Sequence, residues 1–190
     1  MENQQVDLPE NSATSRRRLL TSLLAGGAFA AAAPLLASRA SASDGTPAPP
    51  NRDKADNATL NALVRREDQM VATYAAAVKA TTNDDDAAAL TLIHDHHVAY
   101  VQALAGYLGR DAVATGNGTA LASAAGSFAS NASQLANLET ATMNLHIDAL
   151  NTLNGLNAAT LVSSIITMEA RHSAALALVS GLAPLTAAGN

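Results

Sequence analysis

The chain has 190 residues, of which 48% are hydrophobic and 14% charged, with a formal net charge of −5 and neither cysteine nor tryptophan. That length has room for one domain, the acidic balance leaves no basic stripe for nucleic acid, and the missing thiols exclude disulfides, thiolate metal sites and a lipid-linked cysteine anchor. Aromatics are only 3%, so a core must be assembled from alanine, leucine, valine, isoleucine and methionine, which favours closely packed helices over sheet.

The first 42 residues read as an export signal. Three arginines at Arg16 to Arg18 follow a long polar lead, an apolar segment runs from Leu19 to Leu36, and Ala40-Ser41-Ala42 has the small-x-small form of a signal-peptidase site. Ser15-Arg16-Arg17-Arg18-Leu19-Leu20 resembles the twin-arginine signal, with Leu19 where phenylalanine is usual and Thr21 where lysine is common. A general secretory signal and an uncleaved anchor are the alternatives. Gly26, Gly27, Pro34 and the many alanines make the segment weakly hydrophobic for a membrane span. The expectation is a protein exported across the cytoplasmic membrane, to periplasm, envelope or medium, with no stable membrane anchor after signal removal. Cleavage after Ala42 takes away four of the eleven basic and three of the sixteen acidic residues, leaving a net charge of −6. Residues 43–52, SDGTPAPPNR, then form a Pro-rich linker.

Punctuation divides residues 53–183 into four helices, with 184–190 as a C-terminal tail. The first helix is expected from Asp56 to Lys79, and Asn83 with Asp84 to Asp86 supplies a cap and first-turn carboxylates for the second, which stops at Gly109. A third spans Asn131 to Leu153, and a fourth runs from an Asn157 cap to Ser180, ended by Gly181 and Pro184. Short loops make each consecutive pair an antiparallel hairpin. A Gly-, Ala- and Ser-rich segment between the pairs is long enough to travel the length of a bundle. The expected fold is all-α: a four-helix bundle of two hairpins with one long crossover, a plain up-down bundle with a loose middle loop being the alternative.

The core-facing stripes, traced at three- and four-residue steps, are all interrupted near mid-helix. Glu67 lies between Leu63 and Met70; His94 and His97 lie between Leu90 and Val101; Glu139 and His146 flank Met143; Glu169 and His172 lie between Ile165 and Leu176. An isolated buried carboxylate costs several kcal/mol unless it is neutralised, paired or bound to a metal. Arg65, Arg66 and Arg171 fall off the stripes, whereas imidazoles and carboxylates on adjoining helices converge on one point, so a metal is the economical partner. A hydrogen-bonded network without metal is the other possibility. The halves of the chain also echo each other: Glu67 is followed seven residues on by Tyr74 and Glu139 by His146, while His94-x-x-His97 corresponds to Glu169-x-x-His172. Tyr74 and His146 are candidates for a supporting or additional ligand role. His96 is expected to face water, and the Asp84 to Asp86 run to be a solvated cap.

Glu, then x-x-His on the second helix, then Glu, then Glu-x-x-His resembles the di-iron carboxylate pattern of ferritin-like proteins. In particular, HHVAYVQALAGYLG and MEARHSAALALVSG are similar to the second and fourth helices of exported bacterial ferritin-like domains of the desiccation-related group. The resemblance covers Leu60 to Gly181. It implies a metal site of Glu67, His94, His97, Glu139, Glu169 and His172. Glu67 and Glu139 would be terminal ligands, His97 and His172 the nitrogen ligands, and Glu169 a bridge. It also implies iron or manganese, as one ion or a pair, and a redox or metal-oxidising role. The family would place glutamate at position 94. Imidazole there removes one bridging carboxylate and brings a single ion, an unequal pair or a relic site into contention. The alternative function is a non-catalytic bundle for envelope stress protection or protein interaction, with a degenerate site. A homodimer is compatible with either, and a storage cage is disfavoured by the short helices and the missing extra terminal helix.

Overall fold

In a computed structural model of the chain, the described residues are 53–123 and 128–181. The expected signal peptide, linker and C-terminal tail lie outside them. The described elements are helices α1 (Asn57–Ala80), α2 (Asp84–Leu108), α3 (Phe128–Leu150) and α4 (Leu156–Ser180), with 3-10 turns at Lys54–Asp56 and Gly109–Asp111, and no strand among them.

Local chemistry sets most of the boundaries. The Asn83 side chain accepts the Asp86 N–H at 3.1 Å, and Asp84 to Asp86 place carboxylates in the first turn of α2, where the helix dipole favours negative charge. Gly109 ends α2 at φ 60°, and Gly181 ends α4 in the left-handed region at φ 76°, conformations that cost a side-chain-bearing residue energy. Helices α3 and α4 depart from the sequence-based expectation. Helix α3 begins and ends three residues earlier, because the chain turns at Asn151 and Thr152, whose N–H groups reach back to Ile147 and Ala149. Helix α4 is capped at Gly155, not Asn157. The reason is Asp56: one carboxylate oxygen accepts from the backbone and side-chain amides of Asn154, the other from the Gly155 N–H at 2.8 Å. A Cβ on Gly155 would sit 3.1 Å from that second oxygen, so glycine keeps the approach open.

The crossover is laid along α1. Asn61 donates to the Asp111 carbonyl and accepts the Val113 N–H at 2.7 Å; the Asp68 carboxylate accepts from Gly116 and Asn117; the Thr73 hydroxyl accepts from Leu121. Both sides of this ladder advance together, so the crossover climbs parallel to α1 over roughly 18 Å of helix. The described crossover reaches the level of Thr73, and α3 runs antiparallel to α1, with Glu139 beside Tyr74 and the later Thr142 beside the earlier Arg66. A Cβ on Gly118 would lie 2.2 Å from the Asp68 carbonyl oxygen, so this crossing requires glycine. The loose middle loop is excluded, and the structure is two antiparallel hairpins joined by a crossover that spans the bundle.

The interior is layered along the bundle axis. One apolar cluster gathers Met70, Leu90, Ile93, Leu135 and Leu176 near one end; another gathers Leu60, Val64, Leu104, Leu108, Leu161 and Ile165 near the other. Burying side chains of this size contributes about 1.5–3 kcal/mol each. Between the clusters every helix turns a polar residue inward.

Candidate metal centre

Glu67 enters this middle layer from α1, His97 from α2, Glu139 and His146 from α3, and Glu169 and His172 from α4, all fully buried. The α3 and α4 pairs occur because residues seven apart and three apart share one helical face. The side chains form two groups, His97 with Glu139 and His172, and Glu67 with His146 and Glu169, in each of which one ligand atom per residue lies within 4.8 Å of the others. Each group takes one residue from the first hairpin and two from the second.

The three imidazoles share an arrangement in which one ring nitrogen is tied and the other faces a group. His97 Nδ1 pairs with Glu67 Oε2 at 2.6 Å while Nε2 faces Glu139 Oε1 at 3.0 Å. His146 Nδ1 donates to the Thr142 carbonyl at 2.9 Å, which leaves Nε2 as an acceptor 3.3 Å from Glu67 Oε1. His172 Nε2 meets His96 Nδ1 at 2.9 Å, and its Nδ1 lies 3.5 Å from Glu139 Oε2. For His146 the carbonyl fixes the tautomer and presents a lone pair on Nε2 inward, whereas His97 has a carboxylate on each nitrogen and His172 Nε2 meets another ring nitrogen. The Tyr74 hydroxyl donates to Glu139 Oε1.

Charge is distributed by position. Burial opposes protonation of His97, but Glu139 and Glu67 on its two sides outweigh burial and push it up to about 10. Burial likewise works to raise Glu139, and His97 and His172 outweigh it and hold the carboxyl below its ordinary range. Glu169 goes the other way: burial first, then repulsion from Glu67 and Glu139, raises it far above the usual carboxylate value, so it carries a proton at neutral pH. Burial keeps His146 neutral, and burial with the neighbouring His172 and His97 pulls His96 down to about 4.

Six buried atoms of the two groups have no hydrogen-bond partner in the protein: Glu67 Oε1, Glu139 Oε2, His146 Nε2, both Glu169 oxygens and His172 Nδ1. Unsatisfied buried polar atoms are rare because each costs about 1–3 kcal/mol. Here they are concentrated on converging nitrogen and oxygen donors, the donor set suited to iron, manganese or zinc, so these residues fit a metal.

Of the residues singled out from sequence, Glu67, His97, Glu139, Glu169 and His172 are brought together, Tyr74 touches Glu139, and His146 faces Glu67 and Glu169. His94 is a correction. It sits on the flank of α2, partly exposed, with Nδ1 paired to Asp95 at 2.9 Å, away from the layer. His96, expected in water, is buried against His172 and stacks with it at a ring separation of 5.1 Å. Tyr100, one turn on, stacks beside the same ring. Arg66 is also closer than its stripe position indicates: its Nε donates to the Thr142 hydroxyl at 2.9 Å, beneath His146. Burial lowers its guanidinium, against the pull of Glu67, Glu169 and Glu139.

No helix among the described residues is long and apolar enough to cross a membrane. Neither a curated protein nor a solved structure matches the chain. The family model of the ferritin-like domain matches residues 54–182, which take in all four helices, the crossover and the buried layer, and the chain belongs to that family.

Proposed function

We propose that the protein is an exported ferritin-like protein that binds one or two ions of iron or manganese in its bundle core and serves a redox or metal-oxidising role. The observation that carries this reading is the set of six buried donor atoms on Glu67, Glu139, His146, Glu169 and His172 that make no hydrogen bond in the protein yet face one another across one layer. His97, Glu139 and His172 would hold one ion; Glu67, His146 and Glu169 would hold another. A bound iron or manganese ion supplies one-electron chemistry. The chain's own part is to orient three imidazoles through Glu67, Thr142 and His96, to exclude bulk water with the apolar clusters on either side, and to hold the Tyr74 proton on the phenol oxygen beside Glu139. Burial and the adjoining carboxylate raise that phenol well above its ordinary value. Elemental analysis of untagged protein after loading with iron or manganese tests the proposal. About one to two equivalents per chain are expected, and less than about a tenth of an equivalent rejects it.

Export rests on the arginine-led segment and the Ala40-x-Ala42 site, and the family resemblance extends this to the desiccation-related bacterial group. The twin-arginine route carries folded proteins, which fits a metal inserted before crossing. One observation favours a second reading, a non-catalytic bundle in the envelope: His97 lies between Glu67 and Glu139 and Glu169 holds a proton, so part of the layer neutralises itself without an ion. That reading gives no metal uptake in the same loading experiment.

A further inference from the structure

Building on the metal-binding reading, we infer that the two groups are separate and unlike positions which sort different ions, the sixth ligand being His146 of α3 rather than a residue of the second helix. His97, Glu139 and His172 offer two imidazoles and one carboxylate, whereas Glu67, His146 and Glu169 offer one imidazole and two carboxylates. No carboxylate is common to the two groups. They communicate through a hydrogen bond instead, because Glu67 turns Oε1 toward His146 and Oε2 toward His97 Nδ1.

His146 is suited to be a ligand by what holds it. The Thr142 carbonyl, one turn earlier, has only lone pairs to offer and so fixes the proton on Nδ1. The Thr142 hydroxyl is in turn secured by Arg66 Nε and by the Leu138 carbonyl. His94, by contrast, is engaged with Asp95 outside the layer.

Donor type decides which ion each position prefers. Imidazole favours the later first-row divalent ions such as cobalt and zinc, while carboxylate-rich sets suit manganese. The imidazole-rich position is therefore the one that takes the later ion, iron of the two proposed metals with cobalt as its probe, and the carboxylate-rich one the manganese position.

The test uses the metal-free protein with cobalt and manganese supplied together, one equivalent of each. Bound cobalt is read from its visible absorption, bound manganese from loss of the free-ion paramagnetic resonance signal, and both from elemental analysis. The expected result is one ion of each kind per chain. His146→Gln should weaken manganese uptake about tenfold or more and leave the cobalt spectrum unchanged, and His172→Gln should do the reverse. Circular dichroism of both variants monitors the fold. His94→Gln provides a second, surface control expected to change neither ion. Uptake of two ions of one kind in preference to the mixture, or equal loss of both ions in either variant, overturns the inference while leaving metal binding intact. Failure of the unaltered protein to bind either ion overturns the proposed function, and this inference with it.

Discussion

Asp56 and Glu169 are both carboxylates shut away from solvent, one at the end of the bundle and one at its middle, and the chain treats them in opposite ways. Asp56 receives three N–H donors from Asn154 and Gly155 and is held below its ordinary carboxylate value by those bonds, against the opposing effect of burial. Glu169 has no well-formed hydrogen bond from a backbone or side-chain amide, with only His146 Nδ1 at 3.2 Å from Oε2, and is driven up until it keeps a proton. Where the fold needs a buried charge for its own integrity, it supplies the partners from its own backbone. Leaving Glu169 without them, beside four other residues in the same condition, is the observation on which the proposed cation site rests.

The sharpest way to break this comparison is Glu169→Gln. Because Glu169 is already neutral without metal, the metal-free variant should unfold in urea at nearly the same midpoint as the parent. The metal-dependent gain, about 2.7 kcal/mol when free ion exceeds Kd a hundredfold, should shrink toward zero. An unchanged metal-dependent gain would remove Glu169 from the ligand set. Next in size is Asp56→Ala, which should cost about 1.5–3 kcal/mol through loss of charge-assisted bonds, and by the same amount with or without metal. Calorimetry of both forms checks that independence.

The same comparison can be sharpened through pH. His97 has a folded value near 10 against 6.5 for the free side chain, and Glu169 is raised as well. Between those values the metal-free folded state binds more protons than the unfolded chain. Stabilisation from His97 is therefore complete below pH 6.5 and lost as pH climbs through about 10. Glu169 adds a decline of the same sign. The melting temperature of metal-free protein should fall across that window. In the loaded protein these protons have already been released to make room for the ion, so the curve should be flatter.

Four helices, their pairing and the long crossover were legible because punctuation is local: Asn83, Gly109 and Gly181 act within a turn of where they sit. The inward placement of Glu67, His97, Glu139, Glu169 and His172 could be read from helical spacing alone. The position of His94 and His96 could not be read that way, because the α2 stripe had been traced through Val101 and not through Tyr100 and Tyr107. Both tyrosines are buried. Including them turns the core face by part of a residue step, bringing His96 in, four residues before Tyr100, and leaving His94 on the flank. Two aromatics at that spacing were the available signal. The Asn157 cap failed for a different reason: Asp56, a hundred residues away in sequence, satisfies the start of α4, and no local window contains that contact.

The division of ligands between the hairpins has a mechanical consequence. Helices within a hairpin approach each other far more extensively than helices of different hairpins do, so the seam between the halves is the weaker joint of the bundle. An ion in either group would act as a rivet across that seam, with one leg in the first half and two in the second. Occupancy of the core would then govern how readily the halves part, and an empty bundle would be the one that opens.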